Sequence, residues 1–365
     1  MVIDKSKILE ALKSVNFPNK NKDIVSLGLV KELEVNSNQV SFTILIPNLN
    51  SPFKKAIEAT AKDAIHRFVS QDIEVKIFFE EDEEFKKTQP GGVSGIKHII
   101  AVASGKGGVG KSTITSNLAI TLVKKGYSVG LIDADIFGPS MPKMFGVEGE
   151  VPVGRKEGTK DLIVPVEKYG VKLLSIGFFV KPEDAVAWRG PMAGNALKQL
   201  IDDSDWGALD FLLIDLPPGT SDIQLTLVQT LSITGAIIVT TPQDVAVIDA
   251  VKGIDFFTKD KVEVPILGIV ENMAWFTPAE LPENRYYIFG KGGGKALAEK
   301  KGLPLLAQIP IVQSIREGGD EGLPVALQEN TLLSESFNAF THSVLVELDK
   351  RLSHLPQTQR VKIHM

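Results

Sequence analysis

Through the first 79 residues, short runs of two different periodicities follow one another. ILEALKSV and FKKAIEATAKDAIHRFV repeat apolar side chains every three or four positions and predict helices, whereas LGLVKELEV, QVSFTILI and IEVKIFF read as strands. The pattern then breaks. EEDEEFKKTQPGGVSGIK passes from an acidic block into Pro, Gly and Ser, which predicts a solvated linker over residues 80–97. From His98 onward, apolar runs (HIIAVAS, VGLID, VKLLSIG, DFLLID, GAIIVTT, PILGIVEN, PLLAQIPI) are interleaved with other segments. Those at KSTITSNLAITLVKK, Ala193–Ile201, VAVIDAVKGIDFF, KALAEKKG and LSESFNAFTHSVLVELDKRL read as helices, with the apolar segment IQLTLVQTL among them. Strand-like runs separated by helices predict a mostly parallel sheet covered on both faces. The expected organisation is a small α/β domain over 1–79, the linker, a larger α/β domain over 98–354 and a polar tail over 355–365.

Composition narrows the classes. Hydrophobic residues make up 43% and charged residues 23% of the 365, ordinary values for a globular chain. No apolar run is long enough to span a bilayer and the N-terminus lacks a signal-peptide pattern, so a cytoplasmic protein without a membrane partner is expected. A net charge of -5 argues against nucleic acid as a partner. The sequence has no cysteine, which removes disulfides, thiol nucleophiles and thiolate-held metals together. Its five histidines show no metal-binding spacing.

After HIIAVAS comes Gly105-Lys106-Gly107-Gly108-Val109-Gly110-Lys111-Ser112-Thr113, matching G-x-x-x-x-G-K-[ST] in a strand–loop–helix context. Glycines let backbone N–H groups converge on phosphate oxygens, Lys111 neutralises the outer phosphates, and the Ser112 hydroxyl is suited to Mg2+. Gly105 to Thr113 are therefore the expected ATP-binding segment. Lys106 is a second loop lysine, able to reach developing charge from another direction. Acids ending apolar strands need a metal or donors to be buried. Asp215, in LLID, is the expected Mg2+ ligand, and Asp135 the residue that orients water. Asp133, grouped with Ser112 and Asp215 at the metal, is open to two roles, supporting the metal site from behind its ligands or holding its loop through N–H bonds. Asn272 ends PILGIVEN and is either a purine-reading amide or a turn former. Thr220, Ser221 and Asp222 read as a helix N-terminal cap.

Together these residues resemble the deviant Walker-A ATPases of the MinD/ParA/nitrogenase-iron-protein class, whose loops carry the extra lysine. GKGGVGKS, DADIFGPSMPKMFG, WRGPM, LIDLPPGTSD, TTPQDVAVIDAVKGIDFF, ENM and IREGGDEGLPV are similar to the Mrp/ApbC iron–sulfur cluster carriers within that class. The likeness covers nearly all of residues 98–350, and the first domain resembles the small unit that accompanies iron–sulfur assembly factors. It implies a P-loop NTPase fold and a homodimer enclosing two ATP molecules, serving iron–sulfur client or scaffold proteins. Lys106 would reach the partner's nucleotide, Lys111 and Asp135 would act in hydrolysis, and Asn272 would touch the adenine.

The chain departs from the family at the cluster. Relatives commonly carry a C-x-x-C pair between the ENM strand and the following FG, where this sequence reads AWFTPAELPENRYYI; where relatives have Cys before a proline in the first domain, it has Ser51-Pro52. An iron–sulfur cluster is implied by the family without thiolates to hold it, so client thiolates are expected instead. Trp275, Phe276, Tyr286 and Tyr287 suggest an aromatic cap or a client-docking surface, and RYYI a strand. The alternative is a nucleotide-switched positioning ATPase of the MinD or ParA kind. It would call for a basic amphipathic C-terminus or a basic surface, and PQTQRVKIHM and the negative charge supply neither.

Overall fold

The computed structural model describes residues 4–16, 23–36, 39–46, 54–71, 73–81, 93–136, 138–157, 160–179, 190–220, 222–259, 262–278 and 280–355. The chain divides into two compact units, residues 1–90 and 91–365.

In the first unit, α1 (Lys5–Leu12) and α2 (Lys54–Phe68) pack with a sheet of β1 (Val30–Asn36), β2 (Gln39–Ile46) and β3 (Glu74–Glu81). β1 pairs antiparallel and β3 parallel with β2. Alternation along β2 sends Val40, Phe42, Ile44 and Ile46 into one core with Ile8, Leu12, Ile57 and Ile65. β1 starts later than its apolar pattern suggests, because Asp23 accepts the N–H groups of Val25 and Ser26 and holds the preceding residues in a turn. Ser51-Pro52 lies outside the described residues.

The second unit is built on an eight-stranded sheet in the order β13-β12-β11-β4-β10-β5-β9-β8. These strands are β4 (Ile96–Ser104), β5 (Val129–Asp133), β8 (Val166–Lys168), β9 (Val171–Ser175), β10 (Leu209–Asp215), β11 (Gly235–Thr240), β12 (Ile266–Phe276) and β13 (Leu305–Ile311). Every neighbouring pair is parallel except the edge pair β8–β9. β6 (Val153–Glu157) and β7 (Lys160–Val164) form a separate hairpin that the apolar pattern did not reveal. Alternate residues of β4 feed opposite cores. Ile99, Ala101 and Ala103 face one with Leu197, Leu227 and Phe257, while Ile100 and Val102 face the other with Leu118, Phe337 and Val344. The first core is covered by α5 (Gly190–Asp202), α6 (Asp222–Thr230), α7 (Asp244–Thr258) and α8 (Gly293–Lys301), the second by α3 (Lys111–Lys124) and α10 (Leu332–His354). Two short helices, α4 (Met141–Met144) and α9 (Gln313–Asp320), and 3-10 turns at Val93–Gly95, Ile176–Phe178 and Val325–Leu327 complete the described elements.

Several boundaries differ from the sequence pattern. β3 and β4 reach into the stretch expected as linker. β12 does not end at Asn272 but runs on to Phe276, and RYYI contributes a single paired position, Tyr286 opposite Phe276. Ser221, Trp188, Arg189 and the segment PQTQRVKIHM lie outside the described residues, so neither the helix cap nor the tail has a structural description.

Because β4 is central, the chain turns to one side for β5 and later to the other for β11 to β13, and the crevice at the strands' carboxyl ends opens where the order reverses. Close packing beneath it is stringent at Gly130 of β5. A Cβ there would lie 2.6 Å from Leu209 Cδ1 and 3.0 Å from the buried Trp206 ring. Gly130→Ala is expected to cost about 1–3 kcal/mol by overpacking, read as a lower urea midpoint with an unchanged slope.

Candidate nucleotide site

β4 delivers the chain at Ser104 to the centre of the sheet edge, and residues 105–110 turn it into α3. Gly108 and Gly110 are left-handed, with φ of 79° and 81°, conformations that glycine adopts without a Cβ penalty. Interleaved with ordinary residues, such conformations turn successive N–H groups toward one side, as an anion requires. Gly110 is the N-cap of α3 and places no side-chain acceptor on the first turn, so the helix start faces the loop with its partial positive charge. Gly105 is fixed by packing: a Cβ would lie 2.0 Å from the Asp249 backbone of α7. The Lys106 side chain is exposed, while its carbonyl accepts the Ser104 hydroxyl at 2.9 Å.

Beneath the loop, three donors converge on one buried carboxylate. Lys111 Nζ and Ser112 Oγ donate to Asp215 Oδ2 at 2.7 and 2.6 Å, and Thr115 Oγ1 donates to Asp215 Oδ1 at 2.7 Å. Asp215 is wholly buried and Lys111 is 6% exposed, so the pair lies largely out of reach of solvent screening. Sequence reasoning placed Lys111, Ser112 and Asp215 here but missed Thr115, which stands one helical turn beyond Lys111 on the same face. It also missed Gln224 of α6. That amide donates to the carbonyls of Pro217 and Gly219, while Gly219 N–H donates to Ser104 O at 2.9 Å, so the loop after Asp215 is held at both sides.

Of the two roles open to Asp133, the geometry provides the loop-holding one. Its Oδ2 accepts Ser140 N–H, Met141 N–H and Ser175 Oγ, and its Oδ1 accepts Asp135 N–H. Both oxygens thus carry protein donors, as a loop-holding carboxylate requires. Burial and the Asp215 carboxylate push Asp133 up to about 7, against the opposing pull of Met141 N–H, Lys111 and Ser175. Asp135 is half-buried two residues on, at the start of the loop that Asp133 fixes. Thr113 lies in the first turn of α3, where its carbonyl accepts Ser116 Oγ and Asn117 Nδ2. Asn272 is buried beside the loop and donates from Nδ2 to Val109 O at 2.8 Å.

The donor set suits Mg2+. Ser112 Oγ and the Asp215 carboxylate are hard oxygen donors within 2.6 Å of each other, as a small hard cation prefers. It does not suit an iron–sulfur cluster. The interval from Ala274 to Ile288 offers the exposed carboxylates Glu280 and Glu283 and neither cysteine nor histidine. Among the described residues no group of three or more His, Asp or Glu is placed to hold a metal. Instead, Phe276 and Tyr286 exchange two backbone hydrogen bonds of 2.8 Å and close the loop. The Arg285 guanidinium lies over Trp275 and Lys291 Nζ over Tyr287, 4.5 and 4.8 Å from the ring centroids. Tyr286, Tyr287 and Ile288 are exposed.

Comparisons with known proteins agree with this architecture. Residues 95–345 match the family model described as NUBPL iron-transfer P-loop NTPase, and residues 5–77 match that of an iron-sulfur cluster assembly protein. The chain is 40% identical to the iron-sulfur cluster carrier protein of Deinococcus radiodurans, over 96% of this chain and 97% of that one. The corresponding protein of Synechocystis is 38% identical, covering 88% and 91% of the two chains. Among solved structures, the nucleotide-binding protein of Archaeoglobus fulgidus in complex with ADP superposes with a TM-score of 0.57 at 36% identity, covering 65% of this chain and 91% of that one. The cell division ATPase MinD of Pyrococcus furiosus, at 23% identity and a TM-score of 0.50, over 68% and 98% of the two chains, shares the fold.

Thr115 supplies the test of this geometry. Thr115→Val keeps the shape but leaves Asp215 Oδ1 without its donor and is expected to lower stability by about 1–3 kcal/mol. Thr115→Ser, which keeps the hydroxyl, is expected to stay within about 1 kcal/mol of the parent protein in the same urea titration.

Proposed function

The chain belongs to the iron-transfer P-loop NTPase family, and on that premise we propose that it is a Mg2+-dependent ATPase acting in iron–sulfur protein assembly. The observation that carries this reading is the convergence of Lys111, Ser112 and Thr115 on the buried Asp215, directly beneath a left-handed glycine loop. ATP would take Lys111 away from Asp215. The lysine exchanges one anion for another, the outer phosphates, so its charge never lacks a partner. Ser112 and the released Asp215 would hold Mg2+, which supplies charge neutralisation at the phosphate oxygens. Asp135 would orient the attacking water from the loop that Asp133 holds. The exposed Lys106 would reach the nucleotide of a second copy, making hydrolysis depend on a homodimer.

Iron–sulfur clusters are, on this reading, cargo whose thiolates come from client or scaffold proteins, because this chain contains none. Nucleotide turnover would drive docking or remodelling of such a partner. The likeness to MinD, at 23% identity, is one of fold alone and carries no positioning role to this reading.

Two lysine variants separate the proposed roles. Lys111→Ala is expected to weaken ATP binding roughly ten- to hundredfold. Lys106→Ala should bind ATP nearly as the parent does, yet lose about 10³-fold in hydrolysis together with the ATP-dependent dimer, read by light scattering. Equal loss of ATP affinity in both variants would contradict a role for Lys106 across the dimer.

Asp135→Ala is expected to bind ATP and to accumulate as the ATP-bound dimer, because an orienting group acts mainly in the transition state. Single-turnover hydrolysis at the parent rate would move the water-orienting role to another residue.

A further inference from the structure

We infer that the Thr241 hydroxyl is reserved for the nucleotide-bound state: unpaired in the free protein, it donates to a phosphate-loop carbonyl once a triphosphate fills the loop. The inference rests on the reading of residues 105–113 as the nucleotide loop.

Thr241 follows β11 at the carboxyl edge of the sheet, and the pairing of β11 fixes which way its side chain faces. Val239 pairs with Val270, and both belong to the core beneath α3. Thr240 pairs with Glu271, and these two face α8, since a Cβ on Gly294 would lie 3.1 Å from Thr240 Cγ2 and 2.9 Å from Glu271 Cβ. Alternation then turns Thr241 back to the side of α3 and the phosphate loop. On the other flank, Val239 pairs with Ser104, the residue before the loop, which sets Thr241 level with the loop's first turn. α7 begins at Asp244 and abuts that turn, its Asp249 backbone filling the space of a Gly105 side chain.

In this position Thr241 is 4% exposed, and its Oγ1 has no hydrogen-bond partner among the described residues. A hydroxyl buried without a partner destabilises the state that holds it. Nor can this one turn aside to water. Thr241 precedes Pro242, which confines its backbone to extended conformations, and its branched Cβ restricts χ1. Its own carbonyl accepts the Thr240 hydroxyl at 3.2 Å, and the Pro242 carbonyl is wedged against Gly293, where a Cβ would lie 2.3 Å away.

A rigid segment thus presents an unused donor to the loop, and a filled loop supplies the acceptor. As the N–H groups of residues 105–110 converge on phosphate, the carbonyls between them turn to the rear and require donors. Ser104 and Asn272 already serve two of them, Lys106 and Val109, in the free protein. Thr241 adds its hydrogen bond only on binding, so the free state carries the penalty of the buried hydroxyl and the bound state does not.

The test compares the full-length parent with Thr241→Val, which keeps the shape and removes the hydroxyl. Thermal unfolding is followed without ligand, and binding of ATP and of inorganic tripolyphosphate, each with Mg2+, by calorimetry. Opposite shifts are expected: a thermal midpoint raised by about 2–4 °C, and affinities for both ligands weakened alike, roughly three- to tenfold. Thr241→Ser, which keeps the hydroxyl, should bind both within about twofold of the parent. A midpoint at or below the parent's, or failure of the valine variant to fold, would show that the hydroxyl is already paired in the free protein. Unchanged affinities would show that the bound state does not use it, and a loss confined to ATP would assign it to the nucleoside. Each of these outcomes overturns the inference and leaves the nucleotide reading standing. Should the parent bind neither ATP nor tripolyphosphate, that reading falls and the inference with it.

Discussion

A carboxylate buried at the centre of a parallel sheet is untenable without donors, and Asp215 obtains them from three side chains of the helix that follows the glycine loop. Removing one member of a buried ion pair costs about 3–5 kcal/mol, so Lys111 and Asp215 each depend on the other's presence. That dependence ties β10 to α3, and through α3 to the loop between β4 and the helix. It also sets the terms on which a ligand enters. On the proposed function, an arriving triphosphate would supply Lys111 with a new anion and Mg2+ would supply Asp215 with a new cation, so that the two exchanges would favour each other and neither charge would be stranded.

Around this pair, three loops at the carboxyl edge are held by side chains. Asp133 accepts the N–H groups of Asp135, Ser140 and Met141, Gln224 donates to the carbonyls of Pro217 and Gly219, and Asn272 donates to the carbonyl of Val109. Glu271 extends the same arrangement to the start of α8, which follows the aromatic loop. β12 therefore touches the phosphate loop through Asn272 and continues through Trp275 to Phe276, which pairs with Tyr286.

Contiguous chemistry was legible in the sequence and dispersed chemistry was not. The phosphate loop could be read because its glycines and lysine are consecutive, and Asp215 and Asp133 because a carboxylate ending an apolar strand must be met there by a cation or by hydrogen-bond donors. Thr115 and Gln224 escaped because a Thr in a helix and a Gln near a helix start are common residues whose importance lies in distant or looped-back partners. Asn272 lies beside the phosphate loop, and spacing could not show that its amide donates to Val109 O. The strand beyond it was missed because the left-handed Met273 interrupts the alternation on which strand recognition depends. The β6–β7 hairpin was hidden by its composition: it is short and rich in charge, with few apolar positions to bury.

The proposed function joins a phosphate loop to a chain that contains no cysteine, and its claim that cluster thiolates come from clients is the part most exposed to test. Anaerobic incubation of the full-length protein with iron and sulfide, followed by desalting and by measurement of iron content and visible absorbance, addresses it directly. The expected outcome is protein that still hydrolyses ATP but retains neither stoichiometric iron nor cluster absorbance. Roughly four irons per dimer with a persistent cluster spectrum, as expected for a bound [4Fe–4S] centre, would contradict client-supplied thiolates and require ligands other than cysteine.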